Sequence, residues 1–210
     1  MAEPNAAGKV CTGFSFPFVA KHIVADGKVS FTDGMALARG VKVSISPDVG
    51  DDNIFYANNA AAESEDGVFT GGTVKLTVDG LFQKAERFIY GLPEPTEVAY
   101  GENQKAMMTK HGASAKPPYL GIGFVVRYQS AGVTTWVPVI LVKSKFKTAG
   151  TEAATQEDKK NWQTQDLEAS LFRDDTEEAN WKWVGEDLPT EADAVTIIKG
   201  IFGVAANAEA

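Results

Sequence analysis

Between the glycines of GGTVKLTVDG, residues 71–80, apolar and polar side chains alternate without interruption. Val74, Leu76 and Val78 fall on one side of an extended chain, and Thr73, Lys75, Thr77 and Asp79 fall on the other. Period two sorts these residues and a helical period does not, so the segment predicts a strand with one buried face. The fold must therefore supply a core on one side of this strand. The other side is a question, because threonines and mixed charges suit water and catalyse nothing by themselves.

Further strands follow from the same reading. Phe14 to Ala25 and Lys28 to Phe31 predict two strands around an Asp26-Gly27 turn, and Asp33-Gly34 predicts a second turn. Val41, Val43 and Ile45 alternate with Lys42, Ser44 and Ser46 until Pro47, expected to stop the strand for want of an N–H. Residues 48–70 read as a long surface excursion anchored by Ile54-Phe55-Tyr56. Leu81 to Leu92 predicts a helix with Leu81, Ala85, Phe88, Ile89 and Leu92 on one face. Asp79 stands at the N-cap or first-turn position, and Gly91 and Pro93 end the helix.

Residues 93–118 read as irregular and end in KPPYLG. Leu120 to Gln129 and Val133 to Phe146 predict the longest strand pair, joined by Ser130-Ala131-Gly132. Trp136, Val137 and Val139 to Val142 put apolar groups on both faces of the second strand. That implies burial on both sides, or one face in a core and the other against a neighbouring subunit. After a polar loop at 147–161, Trp162 to Arg173 reads as a strand with Leu167, Ala169 and Leu171 in period two; Trp181 and Trp183 follow a turn. Thr190 to Asp193 resembles a capping box with Asp for Glu, opening a helix whose apolar face is read as Ala194, Ile197, Ile198 and Ile201. The sum is about eight to ten strands and two helices. They form one domain over residues 14–203, with long loops at 48–70 and 93–119, a flexible arm at 1–13 and a frayed tail at 204–210.

Composition limits function. The net charge of −8 is spread along the chain, which disfavours nucleic-acid and anionic-membrane binding, since both depend on Lys and Arg. The N-terminal MAEPNAAGKV does not read as a signal peptide, and the longest apolar run, Trp136 to Val142, is far short of the ~20 residues of a membrane helix. One cysteine, Cys11, excludes an intrachain disulfide. Cys11 with His22 or His111 makes a poor nucleophilic dyad, because no basic cluster flanks the thiol. Asp48, Asp51, Asp52 and Asn53 lack the spacing of a calcium loop, and Gly71-Gly72-Thr73 precedes a strand rather than the helix of a phosphate loop. The acid pairs Glu63 and Glu65, and Asp174 and Asp175, read as solvated turns rather than a glycosidase pair. Trp162, Trp181 and Trp183 leave a carbohydrate-binding β-sandwich module open as an alternative, with Trp181 and Trp183 read on one strand face. No enzyme active site, cofactor or metal site is expected.

The ordered set FYANN, FTGGTVKLTVDGL leading into a helix and GLPE, then YLGIGFVVRYQSAGVTTWVPVILVKSKF, then WQTQ, RDD and GED within residues 162–187 resembles the major tail proteins of bacteriophages with long, non-contractile tails. The resemblance spans residues 13–203. It implies a mainly β (α+β) fold, an antiparallel β-sandwich or partly closed barrel with a flanking helix and a C-terminal helix. It also implies a structural virion protein, made in the bacterial cytoplasm, whose hexameric rings stack into the tail tube that conducts DNA into the host. The implied partners are further copies of itself, a tape-measure protein, a baseplate or tail tip and a tail terminator; a related single-ring component is the nearer alternative. Under this reading Thr73, Lys75, Thr77 and Asp79 are lumen-facing candidates on an acidic wall that does not retain DNA. Phe55, Tyr56, Pro117, Pro118, Tyr119 and Trp136 are candidates for contacts between subunits.

Overall fold

The computed structural model describes residues 8–51, 53–57, 60–65, 67–113, 115–148, 150, 153–155 and 162–205. Its elements are β1 (Val10–Ala25), β2 (Lys28–Ala36), β3 (Gly40–Val49), β4 (Asn53–Ala57), β5 (Ala60–Glu65), β6 (Phe69–Val78), α1 (Gln83–Tyr90), β7 (Thr96–Ala99), β8 (Lys105–Met108), β9 (Leu120–Ser130), β10 (Val133–Phe146), β11 (Gln165–Phe172), β12 (Lys182–Val184) and α2 (Glu191–Phe202). The fold is mainly β, and its ladders are antiparallel.

The large sheet runs β2-β1-β9-β10-β11-β6-β3, with β12 also paired to β10. Strand β10 divides it. Val139 to Leu141 pair with β12, whereas Lys143 to Phe146 pair with β11, so the sheet parts into two halves that fold face to face as a sandwich. Val19, Leu120, Ile122, Phe124, Val137, Val139 and Leu141 from one half meet Val74, Leu76, Val78, Leu167, Ala169 and Leu171 from the other. Ala85, Ile89 and Tyr90 of α1 join this core. The ring of Phe14 on β1 fills the space where a Cβ of Gly40 on β3 would lie, only 2.2 Å from Phe14 Cε1. The N-terminal part of β1, which β2 does not pair, thus approaches the edge strand β3.

The outer face of the β1-β9-β10 half carries a second core. Phe18, Ala20, Phe31, Val125, Ile140 and Val142 pack against Ala194, Ile198 and Phe202 of α2. A side chain at Gly123 would come within 2.6 Å of Ile198 Cγ2, so the missing Cβ lets the helix settle onto β9. The apolar run of β10 is therefore buried on both faces within one chain, and α2 takes the place the sequence left open for a neighbouring subunit.

Several boundaries differ from the sequence reading for local reasons. Val10 to Gly13 belong to β1, because Val10, Cys11 and Gly13 pair with β9. Asp33 and Gly34 form no turn. They bulge within β2, where the register jumps by one residue against β1 and Asp33 takes φ 55°. Pro47 does not stop β3: this is an edge strand paired only with β6, where a missing N–H costs no ladder bond. Val41 slips out at a bulge and is exposed. The two excursions each contain a hairpin, β4-β5 and β7-β8.

Phe82, not Asp79, is the N-cap residue of α1, and it makes no side-chain cap bond; Gly91 closes the helix at φ 61°. Thr190 caps α2 as expected, accepting the Asp193 N–H at 3.2 Å. The buried stripe of α2 is Ala194, Ile198 and Phe202, spaced by four, while Ile197 and Ile201 are each 40% exposed.

Candidate assembly surface

On the β3-β6-β11 half no helix among the described residues packs over the outer face. Register aligns three rows across its strands: Lys42, Thr77 and Asp166; Ser44, Lys75 and Glu168; Ser46, Thr73 and Ser170. The alternating partners Val74, Leu76, Leu167 and Ala169 point into the core, so period two leaves the outward positions polar from Thr73 to Thr77 on β6 and from Asp166 to Ser170 on β11. The first two rows floor a shallow trough of about 860 Å³, rimmed by Gly80, Leu81 and Glu86 around the start of α1 and by Gly150, Gln163 and Thr164.

Three side-chain pairs link residues on this face. Thr77 Oγ1 donates to Asp166 Oδ1 at 2.6 Å. Lys147 donates to Glu168, and Lys75 stands 4.0 Å from the same carboxylate. The Lys147 hydrogen bond, aided by the charges of Lys147 and Lys75 against a smaller desolvation effect, holds the Glu168 carboxyl below its ordinary range. The face is charge-mixed, with two lysines and two carboxylates in its rows, so it does not form the acidic wall expected from net charge. Acidic residues crowd elsewhere, at Asp174 to Glu178 and Glu186 to Asp193.

Thr73, Lys75 and Thr77 thus lie together on the open face. Asp79 lies just past β6 and joins β3 to it: its carboxylate accepts the Arg39 backbone N–H at 3.0 Å and bonds the guanidinium. Desolvation is the largest single influence on this carboxyl and raises it, but the several Arg39 interactions together hold it below its ordinary value.

The predicted contact residues do not form one patch. Phe55 and Tyr56 fall on β4, and their side chains lie outside the described residues. Pro117 and Pro118 are half-buried. Tyr119 is 44% exposed, and its ring stands edge-on to Phe172 at 5.7 Å, with the Lys143 and Lys145 ammonium groups 4.7 and 5.5 Å from its centre. Trp136 is half-buried against the α2 core, and its backbone exchanges two hydrogen bonds with Leu188.

Other candidates resolve into structure. Trp181 stacks on Phe69 at 4.7 Å in the first core, Trp183 stands edge-on to Phe31 in the second, and Trp162 is 85% exposed. Trp181 and Trp183 therefore serve different cores rather than one strand face, and the three indoles make no common platform. Asp174 and Asp175 divide: the first is buried, and the second, with its side chain 65% exposed, is solvated as read. Asp174 is 4% exposed and bonds the Thr176 N–H and hydroxyl through Oδ1, while Asp175 pairs with the largely buried Lys143 at 2.6 Å. Lys143 was hidden from sequence reading; the one usable signal was a lysine directly after the buried run VPVILV.

Asp52 and the side chains of Asn53, Glu63 and Glu65 lie outside the described residues. Among the described residues no group of three His, Cys, Asp or Glu side chains is arranged to hold a metal, and no helix is long and apolar enough to cross a membrane. Compared with models of known protein families and with curated proteins, the chain matches none.

Proposed function

We propose that the chain is a structural virion protein, the major tail subunit of a long, non-contractile-tailed bacteriophage, whose hexameric rings stack into the tube that conducts DNA. The observation that carries this reading is the asymmetry of the sandwich. One half is covered by α2, and the other presents a three-row polar face of hydroxyls with two lysines and two carboxylates. Such a wall offers few free cations to phosphate, so passing DNA gains little counterion-release affinity from it. The motif resemblance over residues 13–203 supplies the rest: ring and stack geometry, a tape-measure protein within, and a tail tip and terminator at the ends.

Electron microscopy of negatively stained purified protein at low and high salt, with sizing alongside, tests the proposal. Hollow tubes or stackable rings support it. Monomers in every condition, including incubation with tail-tip complex as a nucleus, contradict it. Closed rings that never stack favour a single-ring tail component instead. A carbohydrate-binding module is disfavoured by the tryptophans, since Trp181 and Trp183 are committed to separate cores.

A further inference from the structure

Basic and acidic residues are unevenly placed along this chain. Residues 103–118 hold Lys105, Lys110 and Lys116 and no carboxylate, whereas Asp174 to Asp193 hold eight carboxylates and one lysine. The basic segment is the return limb of the β7-β8 hairpin. These two strands pair only with each other, and a two-stranded hairpin is marginal in water unless it packs on something. The hairpin instead offers Tyr100, Met107 and Met108, all more than half exposed. Lys105 and Lys110 bracket the two methionines, and Gln83 of α1 donates to Thr109 at 2.8 Å, which ties the limb to the body of the protein.

The acidic segment forms a belt along β10. It begins at the Asp175–Lys143 ion pair, continues through β12, whose Val184 pairs with Val139, and reaches Leu188, which exchanges backbone hydrogen bonds with Trp136. Glu177, Glu178, Glu186 and Asp187 are exposed along it. Between them stand an exposed Val184 and the half-buried Trp183. The belt therefore reads acid, apolar, acid where the hairpin limb reads base, apolar, base.

We propose that the β7-β8 hairpin of one copy docks on the 174–193 belt of a second copy, with Met107 and Met108 against Val184 and Trp183 and the lysines among the carboxylates. Charge complementarity names the occupant. Lys143 and Lys147 have carboxylates within the chain, but Lys110 and Lys116 have none among the described residues. Limb and belt sit on every copy, so the contact is heterologous and repeats from copy to copy. Opposite charges speed the encounter and reject belt-on-belt and limb-on-limb pairings, while burial of the methionines against Val184 and the indole holds the complex. The inference rests on the proposed function only in that the chain meets copies of itself.

The test uses two charge-reversed variants, Lys110→Glu with Lys116→Glu, and Glu177→Lys with Glu186→Lys. Sedimentation velocity at low salt follows the parent, each variant and their equimolar mixture, and urea unfolding checks each fold. Each variant alone should need at least about tenfold more protein than the parent to associate, because its limb and belt now repel. The mixture should regain association, since each variant's limb matches the other's belt, and added salt should weaken it. Parent-like association of either variant alone, no recovery in the mixture, or a parent that stays monomeric at every salt concentration overturns the inference. Tubes formed equally by parent and variants would uphold the tail-tube reading and remove this interface; oligomers that recover in the mixture but never form tubes would do the reverse. Should a charge-reversed variant fail to fold, Met107→Asp decides: undiminished association contradicts the docking.

Discussion

Thr77 Oγ1 donates a 2.6 Å hydrogen bond to Asp166 Oδ1 across the β6-β11 ladder, on the face of the sandwich that no helix among the described residues covers. A hydroxyl bonded to one carboxylate, beside a glutamate shared by Lys75 and Lys147, leaves a surface that is polar and mixed in charge rather than basic. This property, rather than any cleft, is what the tail-tube reading uses.

Replacing Thr73 and Thr77 together by Arg should convert the face into a phosphate-binding wall. These positions point away from the core, so stability should change by less than about 1 kcal/mol. Tubes of the variant should retain DNA at low salt and release it as salt rises, whereas parent tubes should not retain it. DNA retention by filter binding and stability by urea unfolding check the two halves separately.

Phe202→Ala should cost about 3–5 kcal/mol, because this ring is fully buried between α2 and the sheet, 4.9 Å from Phe31. Ile201→Ala, one residue earlier and 40% exposed, should cost well under half as much. Equal losses in urea unfolding would contradict the stripe assigned to α2.

Gly123→Ala should destabilise by about 1–3 kcal/mol, since the new methyl would press on Ile198 and Phe202 of α2. The same substitution at Gly132, whose Cβ would meet open space, should act only through its φ of 83° and cost less, about 1 kcal/mol. Thermal melts of the pair separate crowding from backbone strain.

The sequence made the strands legible where one face is buried and the other wet. Residues 73–79 and Leu167, Ala169 and Leu171 follow period two, and the structure obeys it. It also showed that β10 is buried on both sides, but it could not say by what, because α2 and a neighbouring subunit leave the same apolar signature. The bulges at Asp33 and Val41 were illegible for a related reason: a one-residue slip is set by the partner strand, which local pattern does not contain. Trp181 and Trp183 misled because period two presumes both lie within a strand, and β12 begins only at Lys182. The open face was legible in its β6 row alone. Its breadth comes from β3 and β11, distant in sequence and joined only by register.

Removing the two partners of the Lys143 and Asp175 pair should have unequal effects. Asp175→Ala leaves a largely buried ammonium unpaired and should destabilise. Lys143→Met leaves Asp175 exposed to water and should be neutral or stabilising. The hydrogen bond from Lys143, opposed by desolvation and aided by its charge, holds the Asp175 carboxyl below its ordinary value of 3.8. The stabilisation linked to this carboxyl is therefore fully present above pH 3.8 and disappears as pH falls through the lower folded value. Acid unfolding of Lys143→Met should lack that component.

Helical reconstruction of tubes assembled from the purified protein tests the central claim most directly. The account predicts rings of six subunits with Thr73, Lys75 and Thr77 on the inner wall and α2 away from it. Tubes whose inner wall is formed by α2, or whose β3-β6-β11 face is buried between subunits, would contradict it.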